Sequence, residues 1–352
     1  MDYDYILVGQ GIAGTVLAES LFQVGKSVLV VDNGAKKTSS RVAAGIFNPI
    51  TGRRMNKTWV ADELFPKLFD FYPTLEIKLG KRFFYQKNVY HPFDSQEKQN
   101  YWMAESADSS FADYIKGFDK GEKYKRVIKG EFGGMLITKA GFVDIPVMLD
   151  VYRAFLIEKK CLLEKSLSIE DVKILPDGVE WQNIRAGKMI FCEGTLGEGN
   201  PYFDWLRFKP VKGELLLVDF KNQQFEETIN RGCWILPHHD GLCRIGATYD
   251  NYDMSLETTE LAKEKLLEKL TALVSVPFEI KEQRAGIRPA TYDRRPFVGL
   301  HPEHPSIGVF NGLGAKGISL SPWCAELFVN QLEKGNELPK EIDIRRVLKR
   351  KG

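Results

Sequence analysis

Two glycine-rich stretches stand at opposite ends of this chain of 352 residues. The first is VGQGIAG, Val8 to Gly14, and the second is NGLGAKGISLSP, Asn311 to Pro322. Gly9, Gly11 and Gly14 have the spacing GxGxxG. Gly9 permits a tight turn, Gly11 lets backbone approach a pyrophosphate, and Gly14 lets a helix pack closely on a strand. Ile12 and Ala13 open that helix, whose free N–H groups and positive dipole end suit a diphosphate. Asp32, ending the next apolar run, can accept hydrogen bonds from an adenosine ribose. The chemistry expected is dinucleotide binding, and this motif alone does not separate NAD from FAD. A third glycine-bearing loop, EGTLGEGN, sets Gly194 directly after another expected strand. His238 and His239, flanked by Cys233 and Cys243, raise the question of zinc. Their spacing matches no structural zinc pattern and they sit at a turn, so no metal is expected.

The elements that must hold these residues follow from periodicity. Tyr3–Val8 reads as a buried strand. A helix follows from Ile12 to Val24, its apolar positions Ile12, Val16, Leu17, Leu21 and Val24 at helical spacing. Gly25 ends it, and Ser27–Val31 is a second strand, which completes a βαβ unit. Between Met55 and Lys139, mixed aromatic and charged residues point to an inserted α+β region. A helix is expected from Asp144 to Glu158. Two strands, Gly178–Trp181 and Lys188–Cys192, are expected around a turn at RAGK. Gly213–Asp219 reads as a strand, and CWILPHHDGLCRIGATY as a hairpin turning at Asp240-Gly241. Ser255 is expected to cap an amphipathic helix running to about Val274. Ser321, with Pro322 at the first helical position, is expected to start the last helix, and Gly335 to stop it.

Elements of two kinds alternate, so the domains are expected to interleave. The class is α/β, with a Rossmann-like dinucleotide-binding domain from residues 1–54, 141–204 and 285–352. The remainder, 55–140 and 205–284, is expected to form an α+β substrate domain on a mostly antiparallel sheet. A net charge of +2 and a hydrophobic fraction of 43% give no field that would draw nucleic acid or an anionic membrane. No apolar run approaches the roughly twenty residues of a membrane span. No leader is expected, and the five cysteines are scattered, which together predict a reduced cytoplasm. The tail, RRVLKRKG, reads as a solvated terminus.

The stretch AGIRPATYDRRPFVG, Ala285 to Gly299, precedes the late glycine loop. Here the sequence resembles the FAD-dependent oxidoreductases of the D-amino-acid oxidase superfamily. That group includes glycine and sarcosine oxidases, D-amino-acid dehydrogenases and the flavin domain of a bifunctional tRNA-modifying enzyme. The matching positions are Gly286, Arg288, Pro289, Thr291, Asp293, Pro296 and Gly299, then Gly312, Gly314 and Gly317. Fainter matches at GFVDIP, CEGTLG, KGELLLVD and LPHHDGLCRIGAT keep the same order along the chain. The resemblance implies FAD, with the second glycine loop beside the flavin ring. Gly312, Gly314, Ala315, Lys316, Gly317 and Ile318 would line it, with Gly286 and Arg288 approaching from the preceding segment. No cysteine lies between Cys243 and Cys324, where some relatives attach the flavin, so non-covalent FAD is expected. Leu313 stands where the family often has histidine, as in the tRNA-modifying branch.

The resemblance also implies an activity, removal of a hydride from a carbon bearing an amine. Arg288 would clamp a substrate carboxylate, or else pair with a carboxylate such as Asp293. Lys316 would lie beside the flavin or aid oxygen chemistry, or else face solvent. Arg53, Trp234, His238 and Tyr249 are candidate pocket residues, with surface or packing roles as the alternative. The expected partner is a small amine or amino acid. Two other readings stay open: a tRNA wobble-uridine oxidoreductase acting on a carboxymethylaminomethyl group, and a non-catalytic flavin-binding protein.

Overall fold

The opening strand Tyr3–Val8 is apolar on both faces, as a central parallel strand must be. In the computed structural model, which describes residues 1–52, 55–130, 132–221 and 223–348, this strand lies between Val28–Val31 and Ile184–Phe191 and runs parallel to both. Ile307–Asn311 pairs parallel with the end of Ile184–Phe191. Alternate residues face opposite layers. Leu7, Val28 and Val30 pack with Val16, Leu17 and Leu21 of the first helix and with Phe328 of the last. Ile6, Val8 and Leu29 pack with Trp181, Phe203 and Ile344 on the other side. Two antiparallel strands, Gly178–Trp181 and Val172–Leu175, extend this sheet on one side, Leu162–Leu163 pairs parallel with Val28–Val31, and Phe297–Leu300 pairs antiparallel with Ile307–Asn311.

A second, eight-stranded sheet runs in the order Glu279–Arg288, Val211–Asp219, Cys243–Gly246, Cys233–Pro237, Thr228–Arg231, Val89–Pro92, Gly134–Ile137 and Ile115–Asp119. Its pairs are antiparallel except for Thr228–Arg231 against Val89–Pro92. The helix Glu260–Leu273 covers one face, where Leu266 and Leu270 meet Leu216, Val218, Ile235 and Ile245. The other face meets the short helix Ser39–Val42, where a Cβ on Gly286 would lie 3.1 Å from Val42. The chain crosses between the two sheets repeatedly. Among the described residues no helix is long and apolar enough to cross a membrane.

Four local expectations need correction. The RAGK segment is not a turn. The strand Ile184–Phe191 runs through it, and the turn is Gln182-Asn183, both at positive φ, as a two-residue type I′ hairpin requires. The helix expected from Ser255 starts at Glu260, because Thr259 Oγ1 caps it by accepting from Ala262 N at 3.2 Å. The last helix starts four residues before Ser321, at Gly317, with Pro322 inside it. A proline there leaves the carbonyl of Ile318 without its helical donor. Tyr72 Oη donates to that carbonyl at 2.9 Å instead. The tail is not wholly solvated: Arg346 donates to Asp293 at 2.8 Å and to the carbonyl of Pro296 at 2.9 Å. Residues 349–352 lie outside the described residues.

Candidate active site

The parallel strands deliver their loops to one edge, at their carboxyl ends, where such sheets bind ligands. Gly9 follows the first strand at φ +102°, and a Cβ there would sit 2.7 Å from the carbonyl oxygen of Cys192. A Cβ on Gly14 would lie 1.8 Å from the carbonyl oxygen of Gly9. The glycines at both positions are therefore required by the backbone path. Gly11 precedes the first helix, and Ile12 N donates to Ser40 Oγ at 3.1 Å. Ile12 is half-buried and Ala13 buried at this helix start.

Asp32 sits beside this loop and organises it. Its carboxylate accepts from Gln10 N and from Gly34 N, each at 2.8 Å, and from Arg153 at 2.9 Å. Arg153 also donates to Gln10 Oε1 at 3.1 Å. A small cavity opens here, lined by Gln10, Gly11, Asp32, Thr38, Arg41 and Arg153. Gly194 follows the Ile184–Phe191 strand at φ +58°, and its carbonyl accepts from Asn311 Nδ2 at 2.8 Å. That bond ties the third glycine loop to the start of the late one.

The late loop folds back onto the first. A Cβ on Gly317 would lie 3.2 Å from Ile12, so the first and last helices begin side by side. Gly312, at φ +75°, passes so close to Thr291 that a Cβ would meet it at 2.6 Å. Gly314 N donates to the carbonyl of Pro289 at 3.3 Å. Ala315 is exposed, Lys316 and Gly317 are half-buried, and Ile318 is buried. The segment Thr38–Gly45 closes the third side: Ser39 Oγ donates to the carbonyl of Ile287. Two converging helix N-termini and backbone that a Cβ would fill make a cradle suited to an extended, anionic dinucleotide.

Arg288 stands on the sheet face above this cradle. Its side chain lies back over Gly213, where a Cβ would be 2.2 Å from the guanidinium. It donates to the carbonyls of Thr248 and Lys212 at 3.3 Å, and its guanidinium carbon lies 4.5 Å from the Tyr249 ring centre. Burial pushes its pKa down. It has no carboxylate partner among the described residues, since Asp293 is engaged by Arg346 and Thr291. Trp234 lies on the same face, over Gly246, where a Cβ would be 2.5 Å from the indole. Tyr249 is 70% exposed and caps the guanidinium from the solvent side.

The structure separates the remaining candidates. His238 is at the far end of the hairpin from Tyr249, against Phe142 and Asp144, and does not join Arg288. Arg53 lies outside the described residues. Lys316 turns inward, donating to Thr58 Oγ1 at 2.9 Å. Burial and, second, the charge of Arg295 push its pKa down to about 8. Arg295 in turn lies 4.2 Å from the Trp59 ring centre. Ser40, Arg153 and Thr58 were not singled out by sequence reading. Thr38-Ser39-Ser40 carries a helix-cap signal that would have found the first. Arg153 and Thr58 carry none, because each meets its partner only through the fold.

The family described as DAO: FAD dependent oxidoreductase matches residues 4–331. Glycine oxidase of Bacillus licheniformis is 32% identical over 138 residues, covering 38% of this chain and 37% of that protein. The tRNA 5-methylaminomethyl-2-thiouridine biosynthesis bifunctional protein MnmC of Marinobacter nauticus is 29% identical over 167 residues, 43% of this chain and 26% of that protein. The chain thus aligns with little more than a third of these relatives' length, or less. Among solved structures, glycine oxidase from Geobacillus kaustophilus superposes with a TM-score of 0.79 at 21% identity, covering 99% of both chains. At that identity the likeness is one of fold. With the family match spanning most of the chain and a dinucleotide cradle in place, the protein belongs to the DAO family of FAD-dependent oxidoreductases, and FAD is its cofactor.

Proposed function

We propose that this protein oxidises a small primary or secondary amine that carries a carboxylate, using non-covalently held FAD. The observation that carries the reading is Arg288, a guanidinium set in a glycine hollow and without a carboxylate partner among the described residues. A guanidinium offers two parallel donors to a carboxylate. Holding the carboxylate there fixes the carbon bearing the amine relative to the cradle, which lowers the entropic part of the barrier. FAD, when bound, would supply a hydride acceptor for that carbon, and the iminium left behind would be hydrolysed by water.

The chain's own groups perform the remaining work. Tyr249 caps Arg288 and limits its access to water, which strengthens the ion pair. Trp234 walls the pocket floor over Gly246. The substrate ammonium must lose a proton before its lone pair can assist. Lys316 Nζ, held by Thr58, is the group assigned to accept it. Asp32, Gln10 and Arg153 hold the pyrophosphate loop in register.

The test is anaerobic bleaching of the flavin absorbance by a panel of glycine, sarcosine, D-amino acids and the corresponding decarboxylated amines. Carboxylate-bearing amines are expected to bleach the protein and decarboxylated ones to fail at the same concentration. Equal bleaching by both classes would overturn the role of Arg288. A second reading, action on tRNA, is supported by the partial similarity to MnmC. It predicts salt-dependent tRNA binding with a steep slope, and bleaching by tRNA bearing carboxymethylaminomethyl-uridine.

A further inference from the structure

A cluster outside the flavin site brings together Asp144, His238 and His239. One ligand atom from each lies within 4.8 Å of the others. His238 and His239 sit at the tip of the Cys233–Gly246 hairpin, and Asp144 caps the helix Ile145–Glu158. The sequence spacing of the histidines gave no metal pattern because the carboxylate comes from a different element.

We propose that Asp144, His238 and His239 form a binding site for one divalent cation of the zinc class, clamping the hairpin tip to the start of that helix. Two imidazoles and a carboxylate suit a borderline cation, with water completing the coordination. Metal–ligand bonds of about 2.0–2.1 Å in a tetrahedron set the donors about 3.4 Å apart. His238 Nε2 lies 3.5 Å from Asp144 Oδ2, close to that spacing. His239 Nε2 lies 2.6 Å from the same oxygen and must open by less than about 1 Å to admit the ion. Its side chain is 41% exposed and has room to move.

The surroundings favour the metal-ready state. The His238 side chain is only 9% exposed, and its Nδ1 has no hydrogen-bond partner. That Nδ1 lies 3.4 Å from Asp240 Oδ1 without forming a hydrogen bond, so a carboxylate stands behind the imidazole. Asp240 is itself fixed by Arg244, at 2.8 and 2.5 Å, so the nearby guanidinium is already paired. Asp144 Oδ1 accepts from Val147 N at 3.3 Å, leaving Oδ2 turned to the histidines. Phe142 packs on His238 at 5.0 Å and Tyr85 stacks on His239 at 5.2 Å, so each ring has an aromatic neighbour.

The test uses the FAD-loaded full chain, freed of metal with a chelator and titrated calorimetrically with Zn²⁺, then with Co²⁺ as a spectroscopic probe. One Zn²⁺ per chain is expected, with affinity lowered at least about tenfold in each of Asp144→Asn, His238→Gln and His239→Gln. Asn keeps the helix cap, so the Asp144 variant tests the charge without removing the fold's support. His239 is exposed, so its variant tests a ligand at little cost to packing. Bound Co²⁺ is expected to show d–d bands without thiolate charge transfer. Absence of binding would overturn the site. Binding undiminished in all three variants, or a thiolate band pointing to the cysteines, would overturn it equally.

Discussion

At the scale of single residues, Arg288 and Gly213 act as one unit. The guanidinium occupies the space where a Cβ on Gly213 would stand. Gly213→Ala should therefore displace Arg288 while leaving the strand intact, because a side-chain end can move where backbone cannot. Steady-state assays with a carboxylate-bearing amine should show KM raised about tenfold to a hundredfold in both Gly213→Ala and Arg288→Met. That range corresponds to losing a charge-assisted pair of roughly 1.5–3 kcal/mol. An unchanged KM in Gly213→Ala would separate the two residues. Lys316 makes a second prediction. Its pKa is lowered from 10.5 to about 8, so it is charged below about 8 and neutral above. As the proton acceptor it should make kcat rise as pH passes through about 8, and Lys316→Met should lose that rise. A kcat limb at the same pH in the variant would assign it to another group. The sign for stability also follows. The folded state sheds this proton first, so Lys316 lowers stability at neutral pH and stops doing so as pH climbs towards 10.5. The tight backbone at Gly9 and Gly14 was legible in the sequence because motif spacing marks it, whereas Arg288 and Lys316 were candidates only through the family resemblance. Thr58 and Arg153 were not, since their roles exist only across long sequence separations, 58 to 316 and 32 to 153.

At the scale of elements, the last helix shows why a correct motif can carry a wrong boundary. Ser321-Pro322 has the residue types of a helix start, yet Pro322 lies in the second turn. The local signal is overridden because Tyr72, on the helix Ala61–Leu79, supplies the missing donor to Ile318 at 2.9 Å. Tyr72 is fully buried, and its hydroxyl also meets Ser321 Oγ at 3.3 Å. Tyr72→Phe should leave a buried carbonyl without a donor and cost about 1–3 kcal/mol. Denaturant unfolding of the FAD-loaded protein measures this through a lower midpoint at constant slope. A midpoint equal to wild type would mean that the carbonyl finds another partner. The hairpin turn at Asp240-Gly241 was read correctly, because it is complete within the five residues from His238 to Leu242.

At the scale of the whole molecule, the sequence conveyed an α/β class and a dinucleotide site, and the second sheet's strand order was not accessible to it. That order joins Glu279–Arg288 to Val211–Asp219 and places Val89–Pro92 parallel to Thr228–Arg231, pairings set by tertiary contact alone. The cradle proposed for the flavin draws on segments near residues 9, 32, 40, 194, 288 and 314, so a ligand held there would link stretches that are far apart in sequence. A ligand bound only by the folded chain stabilises it by about 2.7 kcal/mol at a hundred times its dissociation constant. Added FAD should therefore raise the melting temperature of the apoprotein in one cooperative transition, with a size set by FAD concentration. Gly14→Ala should abolish that response, because its Cβ would fall 1.8 Å from the carbonyl oxygen of Gly9 and force the loop open. Arg288→Met should keep it if Arg288 serves the substrate carboxylate as proposed. Loss of the FAD response in Arg288→Met would move that residue from substrate to cofactor. Retention in Gly14→Ala would show that the pyrophosphate is held elsewhere, by the late loop and the segment after Thr38.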